Sequence, residues 1–187
     1  MVPEQELFIL WLLKTEGEIG RYRLAKMLGV SQGIARAMLT QMKRRRLIIV
    51  RPRAGARPSQ KGLGELSTLM SRHSLKLVER FDQELLGLGP ASVVFQVSDQ
   101  SHRLRHGIEQ RDAAIKAGAT GAVTFFFDGK ILRFPGVVEP VSRRSSATFE
   151  QLKARLRMRK GDVVLIAFAD TWWEAARGGF WAVRTLA

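Results

Sequence analysis

Two short runs of helix-spaced apolar residues, Leu24, Ala25 and Leu28, then Ile34, Met38 and Met42, are separated by only Gly29-Val30-Ser31-Gln32-Gly33. Glycine adopts positive φ at no steric cost, so Gly29-Val30 reads as a tight turn. Ser31 suits an N-cap, its hydroxyl accepting from a free backbone N–H of the next helix. The chain must therefore turn sharply between two helices, over about 21–28 and 32–45. An earlier helix over about 4–15 is predicted by Phe8, Ile9, Leu12 and Leu13, with Gly17 and Gly20 punctuating its end. Ile34, Met38 and Met42 are expected to face inward.

The chemistry then changes. Leu47-Ile48-Ile49-Val50 is rich in β-branched residues and predicts a strand. Residues 51–57 fit a hairpin tip around Gly55, and 58–62 fit a short return strand leading into a helix. That helix continues over 63–72 with Leu66, Leu69 and Met70 on one face. The stretch 23–39 resembles the helix-turn-helix of bacterial and archaeal regulators, and the whole of about 5–72 resembles their winged-helix domain. The resemblance implies duplex DNA as the partner.

Charge agrees with that implication. The 187 residues carry 31 Lys+Arg and 17 Asp+Glu, a net charge of +14, and the isoelectric point is near 11.3. Residues 1–61 alone hold +9, and no acid occurs between Glu18 and Glu65, where twelve Lys or Arg do. A solvated surface ordinarily mixes signs; this one is the footprint of a polyanionic partner. On the expected recognition helix the outer face carries Gln32, Arg36, Thr40 and Lys43. Glutamine pairs bidentately with adenine and arginine with guanine. Arg44 and its neighbours to Arg46, with Arg51, Arg53 and Arg57 of the hairpin, are expected at phosphate oxygens. Arg21, Tyr22 and Arg23 begin the preceding helix, where backbone contacts are usual, and Ser31 stands at the recognition helix's start.

Residues 73–90 are expected to be a connector. Leu75, Leu77 and Glu79 alternate like a strand, whereas Leu77, Phe81 and Leu85 keep helical spacing. A second domain is expected over 91–187. It reads as a strand over 91–97 and a helix over 106–118 with Ile108, Ala113 or Ala114, and Ile115 inward. A hairpin follows around Asp128-Gly129, a strong turn pair. Thr148 with Gln151 reads as a capping box, opening a helix to about 157. A strand over 162–169 precedes a last helix, which Thr171 and Glu174 are expected to cap in the same way. That helix is expected to bury Trp172, Ala176, Phe180 and Val183, and Gly178-Gly179 suggests close backbone packing. The fold class expected is α+β: a winged helix-turn-helix domain followed by a small mixed α/β domain. The segment 107–119, with 128–135 after it, is similar to an uncharacterised archaeal family in which a winged helix precedes a domain of unknown function. That resemblance implies a regulator and transfers no catalytic residue.

The polar cluster of the second domain, Arg105, Glu109, Arg111 and Asp112, with Lys130 and Arg133, is expected to hold a small anionic effector. Ordinary ion pairs on a helix surface explain the same residues. The chain lacks cysteine, so disulfides, thiolate metal sites and a cysteine nucleophile are excluded. Three scattered histidines, and no Walker loop or G-x-S-x-G, leave neither a metal site nor a cofactor expected. Cysteine and asparagine are both absent, a thermophile-like trait. No run approaches the roughly 18 apolar residues of a membrane span, and the acidic start is unlike a signal peptide. A cytoplasmic, homodimeric DNA-binding regulator is therefore expected. Two alternatives stay open: an enzyme acting on a phosphorylated or nucleotide-like substrate, with the winged helix as accessory, and an RNA-binding module.

Overall fold

Ser31 Oγ accepts the Ile34 N–H at 3.3 Å, and Gly29 takes a left-handed φ of 66°, so the two short helices part where local chemistry directs. These features belong to a computed structural model, which describes residues 3–81, 87–137, 152 and 154–186. The chain divides into two units, 1–71 and 72–187.

In the first unit, α1 (Pro3–Glu16), α2 (Arg21–Leu28) and α3 (Gln32–Arg44) precede a hairpin of β1 (Ile48–Arg51) and β2 (Gly55–Pro58), and α4 (Gln60–Arg72) follows. Every residue from Leu7 to Leu13 is buried, so α1 is a core helix rather than a half-wet one. Ala35 and Met42 are the buried residues of α3. Ile34, expected inward, is 49% exposed. The buried stripe runs through Ala35 and Met42, a turn-spaced set that the bulkier Ile34 conceals in the sequence.

The hairpin is held at both ends. Ile19 and Ala56 exchange backbone hydrogen bonds of 3.0 and 2.9 Å, adding a third short strand segment beside β2. At the base, Ser59 Oγ donates to the Arg46 carbonyl at 2.6 Å and accepts the Gly62 N–H at 3.0 Å. One hydroxyl thus ties the start of α4 to the end of α3. Arg46 closes α3 in a left-handed conformation, φ 61°, and Leu47 N–H reaches back to Met42 O.

The second unit is built on a five-stranded sheet in the order β3 (Leu75–Phe81), β4 (Ala91–Val97), β7 (Val163–Ala169), β5 (Gly121–Phe127), β6 (Leu132–Arg133). Every neighbouring pair is antiparallel, which makes this unit α+β. The segment expected as a connector therefore contains a full strand, paired with β4 from Leu75↔Val97 to Phe81↔Ser92. On one face, α5 (Ile108–Lys116) and α6 (Trp172–Val183) cover the sheet. On the other, Leu152 and Leu156 pack with Phe81, Val94, Phe125, Phe127, Val164 and Ile166. Both faces are covered, so β7 reads Val-Val-Leu-Ile-Ala-Phe-Ala with no polar alternation.

The α6 helix lies very close to the sheet. A Cβ on Gly179 would fall 1.9 Å from the Phe95 ring, and one on Gly178 would fall 2.4 Å from Ala119 Cβ. Phe95 meets Phe180 edge-on at 5.1 Å. The same contact turns α5 so that Gln110 and Ala114 are buried. Ile108 and Ile115, expected inward, are 52% and 46% exposed. Thr171 Oγ1 donates to the Glu174 carboxylate at 2.5 Å instead of capping a backbone N–H, so no capping box forms there. The other expected capping pair, Thr148 and Gln151, lies outside the described residues.

Beneath the sheet's end, Asp162 is 3% exposed and ties β3 and β4 to the loop that follows β4 and the loop that precedes β7. Its carboxylate accepts from Gln96 Nε2 at 2.7 Å, Arg159 N at 3.0 Å and Asp99 N at 3.3 Å, with Lys76 Nζ at 3.8 Å. Among the described residues, no helix is long and apolar enough to cross a membrane.

Gly179→Ala is expected to destabilise the second unit by about 1–3 kcal/mol through overpacking. Gly64→Ala in α4, where nothing lies within 4 Å of the new Cβ, is expected to stabilise the first by about 0.5–1 kcal/mol. Urea denaturation followed by tryptophan fluorescence checks both; equal effects would contradict the packing described.

Candidate functional site

The outer face of α3 presents Arg36, Leu39, Thr40 and Lys43, which share one stripe because i, i+3, i+4 and i+7 superimpose on a helix. The hairpin stands beside that stripe and the N-terminal end of α2 closes it. Together they enclose a groove of about 510 Å³. Its apolar part is Ile19, Leu39, Val50 and Ala56, and its cations are Arg21, Arg36, Lys43, Arg51 and Arg53. No acid lines it. Arg21 lies over the Tyr22 ring at 4.7 Å and donates to its hydroxyl at 2.8 Å. Arg53 sits at the hairpin tip with a left-handed φ of 66°.

Seven of the residues singled out from sequence thus meet in one place: Arg21, Tyr22, Arg36, Thr40, Lys43, Arg51 and Arg53. The others do not line the groove. Arg23 pairs with Glu16. Arg57 lies 3.8 Å from Glu18, which also holds Arg51 at 3.1 Å. Ser31 is engaged in its cap. Gln32 and Arg44 are exposed at the first and last turns of α3. Arg45, in the basic run, pairs with the buried Glu6 and so serves the core. The apolar members Leu39 and Val50 have no counterpart in a reading based on charge.

In the second unit the expected effector cluster separates. Arg105 and Glu109 line a polar cleft of about 650 Å³ with His102, Arg103, Gln110 and Thr185. Arg111 and Asp112 pair with each other at 3.3 Å on the exposed face of α5. Lys130 lies in the β5–β6 turn and Arg133 in β6, and Asp128 organises both. Its Oδ1 accepts the Lys130 and Ile131 N–H groups at 2.8 Å, and its Oδ2 accepts Arg133 Nε at 2.5 Å. The Ile131 N–H, the Arg133 side chain and the Lys130 N–H hold the Asp128 carboxyl well below the usual carboxylate range. Among the described residues no group of His, Asp and Glu is arranged to hold a metal ion.

Residues 88–186 match the family model for a domain of unknown function, DUF4443, over more than half of the chain. The chain belongs to the DUF4443 family. The family domain begins just before β4 and runs through α6, leaving β3 and the first unit outside the match. Among solved structures, a hypothetical protein from Pyrococcus horikoshii OT3 is similar, with a TM-score of 0.75 and 21% identity. The alignment covers 100% of this chain and 92% of that one, so both units of this DUF4443 protein have counterparts in that fold. No curated protein matches the sequence.

Because the Asp128 pKa is lowered on folding, its stabilisation is complete above the unfolded value of about 3.9 and is lost as pH falls toward the folded value. Asp128→Asn is expected to destabilise the second unit at neutral pH, and its difference from wild type is expected to shrink below about pH 4. Urea denaturation across that range reads it; a difference that stays constant would refute the turn's electrostatic role.

Proposed function

We propose that the first unit is a winged helix that binds duplex DNA, and that the protein is a transcriptional regulator. The acid-free groove between α3 and the hairpin carries this reading. A helix read in the major groove must present polar side chains on its outer face near its N-terminus, and Gln32, Arg36 and Thr40 stand there. The half-exposed Ile34 beside them offers an apolar surface to a thymine methyl. Arg21, Lys43 and Arg53 flank that face on three sides, where phosphates would pass, and supply salt-dependent affinity. The hairpin in this reading is the wing, and Arg53 at its tip is its phosphate contact. Recognition of an operator by a homodimer would place two such helices about one helical turn of DNA apart.

The ion pairs described above sharpen the expected residue roles. Arg57 already has Glu18 beside it, so it has less positive charge to give a phosphate than Arg53. Selection from random duplex DNA at about 150 mM salt is expected to enrich a motif. Failure to enrich one, together with tighter binding to structured RNA, would replace the DNA reading with an RNA one.

On the selected site, Arg36→Ala is expected to cost roughly 1–3 kcal/mol and relax preference at one base pair. Arg53→Ala is expected to reduce the salt slope by about 1, and Arg57→Ala by clearly less. Fluorescence anisotropy across a salt series measures all three. An unchanged slope in Arg53→Ala would remove the wing from the interface.

A further inference from the structure

The cleft in the second unit is a different chemical object from the groove. His102 and Arg103 come from a single 3-10 turn, Arg105 from the residues after it, Glu109 and Gln110 from the first turns of α5, and Thr185 from the chain's last turn. Among the described residues, His102, Arg103, Arg105 and Glu109 make no ion pair or side-chain hydrogen bond. Gln110 is different: it is 2% exposed. Its Nε2 donates to Thr185 Oγ1 at 2.5 Å, and Thr185 Oγ1 donates onward to the Ala182 carbonyl at 2.7 Å. That chain fixes the orientation of the amide, so the remaining atom, Oε1, is an acceptor. It is buried and, among the described residues, has no hydrogen-bond partner. A buried acceptor without a donor costs about 1–3 kcal/mol and calls for an explanation.

We propose that this cleft binds a phosphate monoester carried on a hydroxylated sugar. Two guanidiniums and an imidazole offer more donors than the two oxygens of a carboxylate can accept; a phosphate monoester has three outer oxygens and up to two negative charges. Glu109 is an exposed acceptor in the cleft, and a sugar hydroxyl is a donor that suits it; Gln110, whose Oε1 lacks a donor, lines the same cleft. The cleft volume of about 650 Å³ falls within the range of small-molecule sites, roughly 300–1,000 Å³. Sugar phosphates and mononucleotides share this chemistry and differ only in the base. The inference does not depend on DNA binding by the first unit.

Isothermal titration of the full chain tests it, with ribose 5-phosphate, AMP, inorganic phosphate and ribose as probes. Saturable binding of ribose 5-phosphate or AMP is expected, roughly tenfold or more tighter than inorganic phosphate. AMP binding more tightly than ribose 5-phosphate assigns a nucleotide; the reverse, or equality, assigns a sugar phosphate. The double variant Arg103→Ala, Arg105→Ala, both exposed positions, is expected to weaken binding at least roughly tenfold. Glu109→Ala is expected to narrow the preference for the ester over inorganic phosphate. Three results would each overturn the proposal: no saturable binding of either ester up to about 10 mM, inorganic phosphate binding as tightly as the esters, or equal binding by wild type and the double arginine variant. The last would mean that the general positive charge of the protein, not this cleft, attracts the anion.

Discussion

The groove in the first unit exists because two backbone segments approach with no room for a side chain between them. A Cβ on Gly55 would sit 2.5 Å from the Ile19 carbonyl carbon and oxygen. That contact, with the Ile19–Ala56 bridge, pins the hairpin beside the start of α2. At the other end Ser59 pins it to the C-terminus of α3. The hairpin, α2 and α3 therefore form one rigid frame around the cations, and their spacing does not depend on long, mobile side chains. Gly62 repeats the device one step later: its Cβ would lie 2.0 Å from the Leu47 carbonyl oxygen.

The second unit uses the same device differently. Glycines in α6 bring a helix backbone onto the sheet, and Asp162 ties β3, β4 and two loops together beneath its end. Backbone and small side chains fill those contacts, so the larger apolar residues of α5 face outward. The division of labour among cations follows from the geometry too. Arg23, Arg45 and Arg57 stand against acids and hold the first unit together, while Arg36, Lys43 and Arg53 line a space without acids. The positive charge of the N-terminal stretch is thus partly structural and partly displayed.

What could be read from sequence was what local chemistry decides. Gly29 and Ser31 set the turn between α2 and α3, and Asp128-Gly129 set the β5–β6 turn, each through a neighbour a few residues away. Elements fixed by distant partners were not legible. β3 pairs with β4, and its Glu79 and Phe81 meet Arg155, more than seventy residues further along. Nothing within 73–90 announces that partner, so strand and helix spacing compete. Ile108, Ala113 or Ala114, and Ile115 looked like an inward face; of these only Ala114, packed on Gly178, is buried. The cationic groove was visible as an acid-free stretch of chain, whereas the selection of Arg53 over Arg57 required the position of Glu18. Gln110 was overlooked because a polar residue on a helix looks solvated until its burial is seen.

The acid-free lining of the groove also has a thermodynamic side. Like charges held within one frame repel, and the folded first unit carries that repulsion whenever no polyanion is present. Dissolved ions screen it over a Debye length of about 10 Å at 0.1 M salt. Salt therefore acts on this unit in two opposing directions. It relieves the unliganded fold and raises its stability, and under the DNA-binding proposal it would compete with the duplex for the same cations. A bound duplex would do for the fold what concentrated salt does, by linkage, stabilising the folded state by an amount that grows with the logarithm of the duplex concentration relative to its Kd.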